Sequence, residues 1–402
     1  MHYSSTSREH FSLTPYYSFL QGSFWMSYAV IMGFATIYLQ DKNFSNTTIG
    51  LLLALGTILS IFLQPILGFW VDKSSRLTML HVLLICTSIG GICGILLQIA
   101  SHSFLFICIP FIIIATLLTC FPTFLNVIAM DYINSGKQLH FGLGRGMGSI
   151  SYAFIVLIMG FLVKRLGTPI IVPTFLVFLL SFLLVIIGLQ KKSPIIKWNS
   201  SPEASIETKS DSPEGILAFL KRYRRFCFLL IGMMLLFVAH TALNTYHINI
   251  MKHVGGDAAT MGFSLALSAT LELPAMLLFT FFLSRVKCGN LLKISAFFFT
   301  IKALIAALAT QVGGIYFSQA FQFASFAIFI PASVYYVNHL IEEKFRGTGQ
   351  ALLGAATVGL GGTLGNFIGG KILDFFPVSV MLIFCVVVST LGFCITLFTI
   401  EN

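Results

Sequence analysis

Three charged side chains fall inside long apolar runs of this 402-residue sequence: Arg145, Glu272 and Lys302. A charge near the centre of a bilayer costs about 3 kcal/mol on insertion scales, so such groups face an interior cavity or a partner. Glu272 is the one carboxylate expected in the middle of a helix, and Lys302 lies similarly deep one helix later. Two readings suit this set. Glu272 can form a structural ion pair with Lys302 or Arg145. It can instead recognise a solute and exchange a proton, because burial and nearby cations move a carboxyl's proton affinity in opposite senses.

Uncharged polar residues recur around these charges at helical spacing. Gln21, Trp25 and Tyr28; Thr119, Thr123 and Asn126; and Arg145, Ser149 and Tyr152 each follow three- and four-residue steps, so each set shares one helix face. His240, Asn244 and His247; Ser264, Ser268 and Glu272; and Gln319, Gln322 and Ser325 do the same later in the chain. Aromatic platforms beside amides and a carboxylate suit a sugar ring, which has an apolar face and many hydroxyls. Two interior cations against one anion suit a carboxylate solute equally. His240 alone also fits an ordinary hydrogen-bonded histidine. The eight cysteines lack metal-ligand spacing, and the chain has no HExxH, GxSxG or phosphate-binding Gly-Lys loop. No metal, cofactor or enzyme activity is expected.

The elements that position these residues follow from composition. The chain is 57% hydrophobic and 9% charged, far from the roughly 25% charged of soluble domains. Twelve bilayer crossings of about 20 residues would use roughly 240 positions. A membrane β-barrel would alternate apolar and polar residues over about ten positions, whereas these runs stay apolar throughout. The fold expected is all-α, with twelve transmembrane helices.

Apolar runs predict helices near Tyr16 to Gln40, Thr47 to Trp70, Leu77 to Ala100, Ser103 to Met130, Leu139 to Val163 and Thr168 to Gln190. A second six are predicted near Phe226 to Ile250, Ala259 to Leu283, Leu291 to Gln311, Ile315 to Leu340, Gly347 to Leu373 and Val378 to Ile400. Residues 1–190 and 226–402 thus read as two six-helix halves, joined by a charged linker over 191–225 with a short amphipathic helix near Pro213 to Arg225. The polar stretch from Met1 to Pro15 lacks the pattern of a signal peptide. With the N-terminus inside, seventeen Lys and Arg fall in cytoplasmic segments and five in outside loops. The positive-inside rule then puts both termini in the cytoplasm. The net charge of +10 is explained by this topology, because the cations are dispersed between apolar runs, and no nucleic acid is expected as a partner. The glycine repeats Gly361, Gly365, Gly369 and Gly90, Gly94 read as close helix packing.

The turn after the second helix, Gly68-Phe69-Trp70-Val71-Asp72-Lys73-Ser74-Ser75-Arg76, resembles the loop signature of the major facilitator superfamily, Gly-x-x-x-Asp-Lys/Arg-x-Gly-Arg/Lys, with Ser75 at its second Gly. The resemblance implies two pseudo-symmetric halves and a conformational gate at Asp72, Lys73 and Arg76; topology anchoring is the simpler reading of that turn. Within the superfamily, Ile31-Met32-Gly33, Leu63-Gln64-Pro65, Phe141-Gly142, Glu272 and Lys302 resemble the lactose permease group of sugar/proton symporters, with aromatic-acid and nucleoside permeases close behind.

By that resemblance Arg145 and Glu272 bind sugar, Tyr152 takes the place of a stacking tryptophan, and Lys302 that of an arginine assisting proton release. Gln322 and Ser325 fall where the group carries a histidine and a glutamate, and Asn126 or Val127 where it carries another glutamate. The implied function is proton-coupled uptake of a small sugar or oligosaccharide by a monomeric permease of the plasma membrane, energised by the proton gradient. The alternatives are a carboxylate or nucleoside permease, or an efflux carrier. Trp25, Asn126, Arg145, Tyr152, His240, Asn244, Glu272, Gln319 and Gln322 are the expected solute contacts, and Glu272 with Lys302 the expected proton-coupling groups.

Overall fold

A computed structural model describes residues 12–74, 76–99, 103–192 and 222–400. Most of the linker, with its expected amphipathic helix, and the two chain ends lie outside the described residues. The first half comprises α1 (Thr14–Gly33), α2 (Ala35–Asp41), α3 (Asn46–Lys73), α4 (Met79–Ile99), α5 (Phe104–Asn134), α6 (Phe141–Leu166) and α7 (Ile171–Lys192). The second comprises α8 (Arg224–Thr245), α9 (His247–His253), α10 (Ala258–Arg285), α11 (Cys288–Leu308), α12 (Val312–Ala320), α13 (Phe326–Leu340), α14 (Arg346–Gly354), a π-helical turn over Ala355–Gly361, α15 (Gly362–Phe375) and α16 (Val378–Thr399).

Among the described residues ten helices are long and apolar enough to cross a membrane, and the α1–α2 pair, bent by 43°, makes an eleventh. The broken pair α12–α13 takes the twelfth place. The halves repeat in detail. Helices α3 and α10 are each 28 residues long, α4 and α11 each 21, and α7 and α16 each 22. Ser45, Thr48 and Gly50 correspond at one constant offset to Asp257, Thr260 and Gly262, and Ser45 and Asp257 each cap their helix by accepting from the backbone three residues on.

Three of the expected continuous helices are interrupted. The first and seventh break at Phe34 and Tyr246, matching positions in the two halves. The tenth breaks over Phe321–Ser325, so Gln319, Gln322 and Ser325 do not share one helical face. There the Ser325 hydroxyl donates to the Phe321 carbonyl (2.7 Å) and Ser295 donates to the Ser325 carbonyl (2.8 Å), so the break does not leave these carbonyls unpaired in apolar surroundings. Of the glycine repeats, Gly361, Gly365 and Gly369 pack α15 and the π-turn against α8, and Gly94 packs against Phe175 and Leu176 of α7.

The halves meet at one end. A Cβ at Gly262 of α10 would lie 2.4 Å from the Val156 carbonyl of α6, and one at Gly50 of α3 would lie 2.1 Å from the Asn366 carbonyl of α15, so these helix pairs cross backbone to backbone. At the Asp72 end, Gly68, Gly142, Gly146, Gly347 and Gly354 border open space. The bundle is therefore shut at the end carrying Asp257 and Asp374, where Asn46 and Thr47 of the first half donate to Asp374 and Lys164 pairs with Asp257.

Candidate functional site

On the first half the site is built where α1 packs on α6. A Cβ at Gly144 would come within 2.3 Å of the Tyr17 ring and one at Gly148 within 2.4 Å of the Trp25 ring, so glycine lets the aromatic side chains of α1 pack against the α6 backbone. The indole is then fixed by a chain of hydrogen bonds. Trp25 Nε1 donates to Gln21 Oε1 (3.1 Å), Gln21 Nε2 to the Tyr17 hydroxyl (2.6 Å), and that hydroxyl to the Leu125 carbonyl (3.3 Å). Tyr28 and Tyr152 meet the Trp25 ring edge-on at 5.3 and 6.3 Å. The Arg145 guanidinium lies 5.1 Å from the Trp25 ring centroid, a cation–π contact, and its Nη1 is buried with no hydrogen-bond partner.

On the second half a buried relay replaces the ion pair read from sequence. Lys302 Nζ donates to Gln322 Oε1 (2.5 Å), and Gln322 Nε2 donates to Glu272 Oε1 (2.8 Å). Lys302 and Gln322 are each 3% exposed, while Glu272 is half-buried. An ammonium can only donate, so it fixes which end of the amide faces it and obliges the NH2 to face the carboxylate. Glu272 therefore pairs directly with neither Lys302 nor Arg145, although the charges of both act on it. Tyr152 lies one turn from Val156, where α6 crosses α10, the helix that carries Glu272, so the two walls adjoin.

Behind Lys302 lies a small cavity lined in part by His247, Ser318 and Gln319, where His247 Nε2 and the Ser264 hydroxyl share a hydrogen bond of 2.9 Å. Gln319 is buried and its Oε1 has no partner. Asn244 Nδ2 donates to His240 Nε2 (2.9 Å), and the His240 ring stacks on Phe326 at 4.7 Å with Phe299 edge-on at 5.5 Å. The histidine thus stands in an aromatic setting beside the relay, not within it.

The expected residues are not all brought together. Arg145, Tyr152, Trp25, Glu272, Gln322 and Lys302 converge from the two halves. Asn126 is exposed on α5. Gln322, expected as a solute contact, has both amide atoms engaged by protein. Asp72, Lys73 and Arg76 are exposed, with the Lys73 ammonium 5.9 Å from the Phe69 ring, and among the described residues no ion pair joins the three to each other or to the second half.

A polar seam at the shut end was not foreseen. Gln40 Nε2 donates to Asn46 Oδ1 (2.8 Å) and Asn249 Oδ1 (2.9 Å), and Lys164 pairs with Asp257 at 2.8 Å. That hydrogen bond from Lys164 holds the Asp257 carboxyl below the usual aspartate range. The signal in sequence was charge at matching helix ends, Lys164 in one half and Asp374 in the other.

Comparison with known proteins agrees with this architecture. Residues 17–386 match the profile of the MFS_1-like family. The Bacillus subtilis transporter YwbF is 25% identical over 402 residues, covering 100% of this chain and 96% of its own length. The maltose permease of Geobacillus stearothermophilus is 23% identical over 372 residues, covering 92% and 90%. Among solved structures, a mutant of the nucleoside transporter NupG superposes with a TM-score of 0.81 at 18% identity, covering 97% of this chain and 100% of that one. An inward-facing bacterial homologue of the lysosomal transporter Spinster superposes with 0.70 at 15% identity, covering 96% and 98%.

Proposed function

The chain belongs to the MFS_1-like family and is a multi-pass membrane transporter of the major facilitator type; from that premise we propose that it takes up a small sugar or oligosaccharide together with protons by alternating access. The observation that carries the proposal is the Glu272 carboxylate, tied through Oε1 to the Gln322 amide and lying within the field of Arg145 from the opposite half. A sugar ring laid on the Trp25 and Tyr152 aromatics would offer hydroxyls to the unpartnered Arg145 Nη1 and to Glu272. Glu272, with no second carboxylate at Gln322 or Ser325, carries the coupling proton, and Lys302 tunes it through the amide.

The relative named a maltose permease supports the sugar class. A nucleoside is the second reading, favoured by the similarity in fold to a nucleoside transporter and by a stacking surface that suits a base. In this proposal the protein works as a monomer in the plasma membrane, with residues 1–190 and 226–402 as the two moving halves and 191–225 as their cytoplasmic linker. The Asp72 end faces the cytoplasm, so that Asp72, Lys73 and Arg76 form a gate that engages when that end closes.

The test is uptake into proteoliposomes under an imposed proton gradient, with maltose, uridine and 4-hydroxybenzoate as separate solutes. Maltose accumulation abolished by a protonophore is the expected result. Accumulation of uridine or 4-hydroxybenzoate alone would reject the sugar, and equilibration of all three regardless of the gradient would reject proton coupling.

A further inference from the structure

Each half sends the end of its fifth membrane helix over the start of the other half's second helix, and the two contacts use opposite charges. From the first half, Lys164 near the end of α6 reaches Asp257, the residue that caps α10. From the second half, Asp374 near the end of α15 reaches the start of α3. Its Oδ1 accepts from the Asn46 backbone N–H (2.8 Å) and from Asn46 Nδ2 (3.0 Å), and its Oδ2 accepts from the Thr47 backbone N–H (2.8 Å). A helix start presents unpaired N–H groups and a partial positive charge, which a carboxylate satisfies directly. Where α10 already holds its own carboxylate, Asp257, the visitor is a cation; where α3 is capped by the neutral Ser45, the visitor is an anion.

We propose that Asp374 and the Lys164–Asp257 pair are two clasps, related by the internal repeat, that hold this end of the transporter shut, with Asp374 the stronger. The ranking follows from what each loss leaves behind. Without Lys164, Asp257 still accepts from the Thr260 N–H (2.9 Å) within its own helix. Without Asp374, two backbone N–H groups of α3 lose their acceptor across the seam. Both clasps are solvent-exposed, so water screens each of them and the ranking rests on the stranded backbone groups alone. The supporting seam turns on the same residue, because Asn46 Oδ1 also accepts from Gln40, while the Tyr246 hydroxyl, which donates to the Asn366 carbonyl (2.6 Å), lies 3.1 Å from the Asn46 carbonyl. Freeing Asn46 therefore loosens its contacts with Gln40 and Asn249 together.

The inference needs no solute, so it stands or falls apart from the proposed function. Spin labels on cysteines introduced at Asp41 and His253 report the shut end, and labels at Lys137 and Lys344 report the opposite, Asp72 end; distances are read in the full chain in lipid nanodiscs. The wild type should give a short distance at the first pair and a long one at the second. Asp374→Ala should raise the population with the first pair apart about fivefold, the change expected for loss of hydrogen bonding that water screens. The second pair should shorten in the same proportion. Lys164→Met should give a smaller shift and the double variant the largest. If Asp374→Ala does not yield folded protein, Asp374→Asn, which keeps one acceptor oxygen, carries the same comparison with an intermediate shift. Unchanged distances in the single and double variants would overturn the proposal. So would lengthening at the first pair without shortening at the second, since that is fraying of one end and not a rocking of the halves.

Discussion

Gln322 shows how a single side chain can change what its neighbours do. It is held by a cation on one side and a carboxylate on the other, so Lys302 and Glu272 are coupled without touching. Gln322→Leu removes both hydrogen bonds and leaves a buried ammonium and a carboxylate oxygen unpaired, at a cost of about 1–3 kcal/mol. We expect a lower unfolding temperature in detergent and loss of solute accumulation. Glu272→Gln should keep solute exchange measurable while abolishing proton-driven accumulation; an unaltered proton dependence would move the carrier role to another group. Arg145→Lys keeps the charge but loses the planar fork over Trp25, so the solute's dissociation constant should rise about tenfold or more, read by isothermal titration. The charged trio was legible from sequence because a charge in an apolar run must be explained. The amide between them was not, because spacing along one helix says nothing about a partner on another.

At the level of elements, hydropathy located the membrane helices but not their interruptions. Phe321–Ser325 contains neither Gly nor Pro, so nothing in the residue types announced a break. Conversely Pro65, Pro110, Pro122, Pro274 and Pro331 all sit inside helices that continue through them, as neighbouring helices in a membrane re-satisfy the freed backbone groups. Which helices touch is decided by the glycines. Gly148→Ala should push the Trp25 ring off α6 and weaken solute binding, whereas Gly188→Ala, where nothing lies within 4 Å, should leave it unchanged. Gly262→Ala meets the Val156 backbone and cannot be relieved by moving a side chain. It should hold α6 and α10 apart, and the Asp41 and His253 labels should then report a longer mean distance.

For the whole molecule, in the proposed alternating-access cycle the state seen is one of two openings, and the proposed clasps at the shut end bias it. Because Lys164 lowers the proton affinity of Asp257 in the closed arrangement, that pair's contribution is complete above the ordinary aspartate value of about 3.9. It is lost only as pH falls through the lowered value. Between about pH 5 and pH 8 the difference in label distance between wild type and Lys164→Met should therefore stay constant; a difference that changes across that range would place another titrating group in the clasp. The opposite charges of Lys164 and Asp374 also bear on how the chain sorts itself during assembly. Two copies of the second half, paired through the same surfaces, would set Asp374 against Asp257, carboxylate facing carboxylate. Two copies of the first half would bring Lys164 over the electropositive start of α3, where Ser45 offers no counter-charge. Only a first half beside a second half satisfies both ends. Halves severed in the linker and synthesised as separate polypeptides should thus select each other over their own kind.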